Sequence, residues 1–366
     1  MTPIRVAYVQ SHLSYGSVEE YLHSLVDRVD CERFEPWLVC SDHPSLEPLQ
    51  QAAGFDGRVV VVPGGASLPR FLETRSRALR SIDPRLVHCA DLDAPGMLAA
   101  ARRRCVVTYN TPELRPRYNA AGRVAMRAAW ATKPWVVFTS ERDRETGVAL
   151  DPIRRERAEV IPYGVDTARF APGDRPEARA ALGLSPESHV VGTVGRLNAQ
   201  KGHTYLLQAA EQLAERRSDI EWVIAGDGEL RARLEDEARL RGLEHRVRFL
   251  GHRGDVPEIL AALDVFVLSS NFEGMCFAVA EALAVGVPVV ATDVGGVSQS
   301  VVGGETGLLV PPRDATALAG AIERLVGDGD AATRLGRAGR KRVEELYDLS
   351  KMAAATERLY ARVLAA

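Results

Sequence analysis

The sequence predicts an α/β protein built from two doubly wound domains. Three observations carry this reading. Short apolar runs alternate with helical patterns from end to end, the alternation starts afresh near residue 190, and a proline- and glycine-rich stretch separates the two series. The length of 366 residues agrees, since domains commonly take roughly 100–200 residues each.

In the first series, residues 4–10 (IRVAYVQ) read as a strand and 17–29 as a helix with Val18, Tyr21, Leu22, Leu25 and Val26 on one face. Further strand runs fall at 37–40, 59–62, 86–88, 105–108 and 135–139. The second series has strands at 190–195, 221–226, 247–251, 264–269 and 287–293, with helices near 202–216, 229–241 and 276–285. Between the series, Pro162, Gly164, Pro172, Gly173 and Pro176 mark a linker. Residues 331–366 read as helical, with Leu349, Met352, Ala353, Leu359, Tyr360 and Leu364 forming an apolar stripe. The predicted organisation is therefore a domain over 1–165, a second over 166–345, and a terminal helix over 346–366 that packs back on the first domain.

Composition excludes several classes of function. The apolar fraction of 46% and a net charge of −3 are incompatible with a disordered chain. A pI near 6.3 offers no basic footprint for nucleic acid, and none is expected as a partner. No apolar run approaches the roughly 18 residues a membrane span needs, and MTPIRVAYVQ lacks the pattern of a signal peptide. Five scattered cysteines (31, 40, 89, 105 and 276) fit a reduced cytoplasm and show no metal-type spacing. The expectation is a cytoplasmic protein without a metal centre. Only Lys133, Lys201, Lys341 and Lys351 are lysines among 46 cations, so a lysine between glycines invites a chemical question.

In open α/β sheets, ligands bind beyond the carboxyl ends of the strands, so the loops after the second-series strands are the place to look. The first reads Gly195-Arg196-Leu197-Asn198-Ala199-Gln200-Lys201-Gly202. It is either a solvated turn or an anion cradle, in which backbone N–H groups at a helix start and two cations meet a phosphate. Its order is not that of a Walker A loop. Asp227 reads as a turn residue and helix cap, and His252 as a surface histidine beside backbone groups that can frame a base. Residues 270–281 (SNFEGMCFAVAE) are the most informative: Glu273 stands in the loop and Glu281 in an apolar helix eight residues on. At about 1.5 Å per residue they lie at most roughly 12 Å apart along the axis, a span for the two ends of one extended ligand. A carboxylate in such company needs a partner or the edge of the face. Cys276 has no base at local spacing and reads as inert.

These segments closely resemble the retaining glycosyltransferases of the GT-B fold, family 4. The resemblance rests on GTVGRLNAQKG, VIAGDGEL, VRFLGHRGDV, NFEGMCFAVAEALAVGVPVVATDVGG and GETGLLVPP, with VIPYGVDTARF at the linker. In the first half, SYGSVEE and DPRLVHCAD match more loosely. The E-x₇-E pair together with G-R-L-x-x-x-K-G is specific; either alone is weak.

The resemblance implies a GT-B architecture, two doubly wound Rossmann-like domains facing a central cleft, the first binding the acceptor and the second the nucleotide-sugar donor. It implies a hexosyltransferase-type enzyme, metal-independent, moving a sugar from a nucleotide-diphospho sugar, with UDP favoured over GDP or ADP. The acceptor is a hydroxyl of a small molecule, glycan or lipid. Arg196 and Lys201 would grip the diphosphate, Glu273 the hydroxyls of the sugar and Glu281 those of the ribose. Met275, Cys276 and Phe277 would hold sugar and phosphate by their backbone. Gly195 belongs to the phosphate loop, Gly251, His252 and Arg253 would frame the base, and Gly16 would let the first-domain loop approach the phosphates. Tyr15, Asp91, Tyr109, Asn110 and Glu113 are the expected acceptor lining. The chain departs from the family twice: Asn110 stands where a histidine is frequent, and Gly295-Gly296-Val297-Ser298-Gln299 where G-G-I-P-E is frequent. A sugar-nucleotide epimerase or hydrolase, or a binding protein of low turnover, are the alternatives. Residues 114–135 mix Arg115, Arg117, Arg123, Arg127 and Lys133 with Trp130 and Trp135, so peripheral contact with the inner membrane face is a further expectation, against a helix packed on its own sheet.

Overall fold

The computed structural model describes residues 2–10, 17–63, 68–110 and 119–366. The chain divides into two compact units, one running to Gly164 and including Leu349–Ala366, the other spanning Val165–Asp348. Each is a wholly parallel sheet with helices between successive strands.

In the first unit the strands are β1 (Ile4–Val9), β2 (Phe34–Ser41), β3 (Val59–Val62), β4 (Leu86–Cys89), β5 (Arg104–Thr108), β6 (Trp135–Phe138) and β7 (Ala158–Val160), in the order β3-β2-β1-β4-β5-β6-β7. The second unit has β8 (His189–Val194), β9 (Ile220–Ala225), β10 (Val247–Gly251), β11 (Val265–Leu268), β12 (Val289–Thr292) and β13 (Gly307–Val310), in the order β10-β9-β8-β11-β12-β13. Each sheet therefore reverses its winding beside its first strand, at β1/β4 and at β8/β11. Loops leaving the carboxyl ends there diverge to opposite sides and leave a crevice. Every residue of β4, β11 and β12 is buried, which is why these strands read as unbroken apolar runs and not as alternating ones.

Two strands were not predicted. β7 has three residues and ends where the stretch read as linker begins, while β13 carries a leading glycine. Both sit at sheet edges, where pairing to one neighbour suffices and the sequence signal is weak. The helical tail breaks at Tyr347 and Asp348 into helices Gly329–Leu346 and Leu349–Ala365. The second of these belongs to the first unit and buries Leu349, Met352, Ala353, Leu359 and Tyr360; Val363 is buried and Leu364 only half-buried.

A polar contact fixes that helix to its sheet. His88 of β4 is fully buried, with Nδ1 2.6 Å from the Tyr360 hydroxyl and Nε2 2.8 Å from the Thr108 hydroxyl. The Tyr360 hydroxyl in turn donates to Tyr8 at 3.2 Å. Burial depresses the imidazole pKa from 6.5 to about 3, so the ring is neutral. Because the folded-state value lies below the unfolded one, the neutral ring's contribution is complete above about pH 6.5 and is lost as pH falls towards 3. Urea unfolding between pH 7 and 4.5 is expected to show falling stability for the native chain and a flatter profile for His88→Gln. Parallel profiles would contradict a neutral buried imidazole.

Candidate active site

The loops after β8 and β11 meet at the switch point of the second sheet, joined by backbone as well as side chains. After β8, the Asn198 carboxamide accepts the Lys201 N–H at 3.3 Å and closes the turn Ala199–Lys201. From the other loop, Asn271 N–H donates to the Gln200 carbonyl and its side-chain amide to the Ala199 carbonyl, both at 2.7 Å. The Ser269 hydroxyl donates to the Lys201 carbonyl at 3.0 Å. Gly202 adopts φ +61°, and a Cβ there would lie 2.2 Å from the Ser269 carbonyl oxygen, so only glycine allows this approach.

Lys201 and Glu273 form a buried ion pair inside this junction. Lys201 Nζ lies 2.7 Å from Glu273 Oε1, with side-chain exposures of 14% and 5%. Two more donors reach the carboxylate, the Ser270 hydroxyl at 2.6 Å and the Gln200 amide at 3.1 Å, which leaves acceptor capacity on it. Burial works against the Lys201 charge, but the neighbouring Cys276 and Glu273 outweigh it and hold its pKa above the ordinary lysine value. Cys276 Sγ is 3.7 Å from Lys201 Nζ, and burial pushes the thiol up to about 11, so it is not a nucleophile at neutral pH. His203, two residues on, is lowered to about 4 by burial and by the Lys201 charge. Lys201 is thus the cation of the junction, and His203 is neutral.

Beyond the ends of β8, β9 and β10 lies an open cavity of about 320 Å³, walled by Gly195, Arg196, Asp227, His252, Arg253 and Val256 among others. Arg196 is exposed there and makes no ion pair among the described residues, in contrast to Lys201. Arg253 is held by Asp255. Asp227 does not cap the next helix, whose N-cap position is Leu230; its carboxylate accepts the Gly228 N–H at 2.7 Å and pairs with Arg231 at 3.0 Å. Gly251 is buried and His252 exposed. Helix Phe277–Val285 starts at an N-cap, Cys276, that offers no side-chain capping bond, with Met275 buried and Phe277 half-buried. Glu281 lies about one turn into it, half-buried among Ala280, Ala282 and Leu283. Gly295, at φ +52°, backs the pair: a Cβ there would come within 1.6 Å of the Glu273 carbonyl oxygen.

The first unit presents fewer of the predicted residues. Asp91 follows β4, half-buried, and accepts the Leu92 N–H at 2.6 Å. Asn110 follows β5, with its carboxamide buried beside the Tyr163 hydroxyl. Tyr109 is a core residue: it is 2% exposed, its ring packs on Trp130 and Phe138, and its hydroxyl donates to Asp151 at 2.8 Å. A ligand reaches it only through a rearranged core. Tyr15, Gly16 and Glu113, with Arg115 and Arg117, lie outside the described residues. Sequence reasoning missed Gln200 and Ser270 as partners of Glu273. The available signal was physical, since a carboxylate placed among Phe272, Met275 and Phe277 demands donors nearby. It also missed the contact of buried Glu19 with Gln10 at the end of β1.

Residues 174–342 match the sequence profile of glycosyl transferases group 1, and residues 18–169 that of glycosyltransferase family 4. The chain belongs to glycosyltransferase family 4. This glycosyltransferase is 32% identical over 262 residues to the lipopolysaccharide core biosynthesis mannosyltransferase LpsB of Rhizobium meliloti, covering 65% of this chain and 75% of LpsB. A D-inositol 3-phosphate glycosyltransferase of Actinosynnema mirum is 37% identical over 252 residues, 66% of this chain and 58% of that protein. Among solved structures, HepE from Anabaena in complex with UDP shares the fold at a TM-score of 0.86 and 20% identity, over 98% of this chain and 100% of HepE. The two units are accordingly the two Rossmann-like domains of the GT-B fold.

Gly295→Ala in the glycosyltransferase is expected to cost about 3 kcal/mol or more, because strain at positive φ adds to the clash with the Glu273 backbone. Gly304→Ala, at φ +80° with open space around it, should cost only about 1–2 kcal/mol. Melting temperatures check the pair, and equal losses would contradict a special role for the close approach at Gly295.

Proposed function

We propose that the enzyme transfers a hexosyl unit from a nucleotide-diphospho sugar, a UDP-sugar in preference to GDP- or ADP-sugars, to an acceptor hydroxyl with retention of anomeric configuration and without a metal ion. The observation that carries this reading is the pairing of an engaged cation with an unengaged one at a strand-end crevice: Lys201 is locked to Glu273, and Arg196 beside the cavity makes no ion pair. A diphosphate placed there meets both cations and the N-terminus of helix Phe277–Val285. HepE, solved with UDP and with UDP-glucose, and LpsB, a mannosyltransferase by name, support the nucleotide-sugar reading and the hexosyl class.

The step breaks the bond between the anomeric carbon and the phosphate oxygen, and the diphosphate leaves with the electron pair. Arg196 and Lys201 neutralise it as the sugar becomes oxocarbenium-like. The acceptor oxygen bonds to the anomeric carbon from the same face, and its proton passes to an oxygen of the departing phosphate. Glu273 holds sugar hydroxyls in this scheme and is not the nucleophile: Lys201, Ser270 and Gln200 already donate to its carboxylate, which lowers its nucleophilicity. Glu281 takes the ribose hydroxyls, and Gly251, His252 and Arg253 frame the base. Asp91 and Asn110 line the acceptor side. The acceptor is a small molecule, a glycan or a lipid.

Arg196→Gln is expected to leave the melting temperature unchanged and to lower transfer from a UDP-sugar by about 100-fold, the usual worth of one charge-stabilising group at the developing anion. The anomeric proton of the product, read by NMR, should show the donor's configuration. Normal turnover of the variant, or an inverted product, would overturn the assignment.

A further inference from the structure

A second cationic cavity lies in the first unit, away from the carboxyl ends of its strands. It occupies about 310 Å³ between the last turn of helix Ala120–Ala131, the turn leading into β6, and the segment before β7. Arg127, Lys133, Arg154 and Arg157 contribute to its wall, and no carboxylate does. Arg127 and Lys133 make no ion pair among the described residues, and Arg154 has only an exposed contact with Glu156 at 3.8 Å. Arg157 donates to the Lys133 carbonyl and lies 6.0 Å from the Trp135 ring centre. The remaining wall is apolar, formed by Trp130, Ala131, Pro134, Pro152 and Ile153.

Two residues of this wall stand out. Trp130 is 6% exposed and its indole N–H has no hydrogen-bond partner among the described residues. Lys133, one of the four lysines of the chain, holds φ +54°, a conformation that glycine or asparagine adopts more readily. A second opening on the same amino-terminal strand edge, about 900 Å³, is lined by Arg80, Arg85, Arg102, Arg103 and Arg104 with Asp83 as the one carboxylate. Both openings are thus lined mainly by cations although the chain carries a net charge of −3.

We propose that the cavity walled by Arg127, Trp130, Lys133, Arg154 and Arg157 binds a phosphate ester carried on a short apolar stem. Several acceptor oxygens meet the cations, and the stem meets the Trp130 ring, the two prolines and Ile153. The volume of about 310 Å³ is large enough for one phosphate head group. The same chemistry is offered by a soluble phosphate ester and by the head group of an acidic phospholipid, and the test separates them. Butyl phosphate is titrated calorimetrically into the full chain, and flotation with phosphatidylglycerol vesicles is compared with phosphatidylcholine vesicles. Lys133→Gly removes one charge and relieves the backbone; Arg154→Gln removes a second cation of the wall. Both are expected to melt no lower than the native chain, to bind UDP as it does, and to weaken phosphate binding at least 10-fold and about 3-fold respectively. Binding of butyl phosphate with this pattern identifies a soluble ester as the ligand. Binding confined to phosphatidylglycerol vesicles with the same pattern identifies the lipid head group. Binding that survives both substitutions, or absent in both formats, overturns the proposal.

Discussion

The buried ion pair between Lys201 and Glu273 is the constraint around which the second domain's crevice is organised. Removing two charges from water costs several kcal/mol for each ion, and Coulomb attraction repays it only with good geometry and further hydrogen bonds. Here the geometry is close, and Ser270 and Gln200 also donate to the carboxylate. Such a pair contributes little net stability compared with apolar packing. Its physical value is positional: it holds a cation and a carboxylate in fixed register at the strand-end crevice.

Much of the surrounding backbone serves that register. The loop after β8 is tied to the loop after β11 by Ser269 and Asn271, and the close approach at Gly202 brings the two loops nearer than any side chain would permit; Gly295, after β12, packs as closely on the Glu273 backbone. The sheet order explains why these loops meet at all. β8 and β11 are neighbours although two strands separate them in sequence, so residues some seventy positions apart share one site. Arg196 remains outside the network, so one exposed positive charge stands at the crevice while Lys201 is held by Glu273.

Most of this was legible in the sequence. The alternation of apolar runs and helical patterns placed eleven strands close to where they lie, because buried parallel strands have no polar face to blur the signal. The E-x₇-E pair and the lysine between Gln200 and Gly202 marked the crevice before its geometry was known. What was not legible depends on long-range contacts. β7 and β13 are short edge strands whose existence rests on a neighbour. Tyr109 follows a strand, as an acceptor-lining residue would, yet Asp151 and Trp130 draw it into the core. Ser270 and Gln200 are ordinary loop residues until tertiary structure brings a carboxylate to them.

The central claim is that the Lys201–Glu273 junction is a nucleotide-sugar donor site that works without a metal. Calorimetric titration of UDP, GDP and ADP in metal-free buffer, on the native chain and on Lys201→Met, tests it most directly. The account predicts that UDP binds in the micromolar range, about −8 kcal/mol, more tightly than GDP or ADP, and that the substitution weakens it at least 10-fold. Binding of none of the three, or UDP binding indifferent to Lys201, would contradict it.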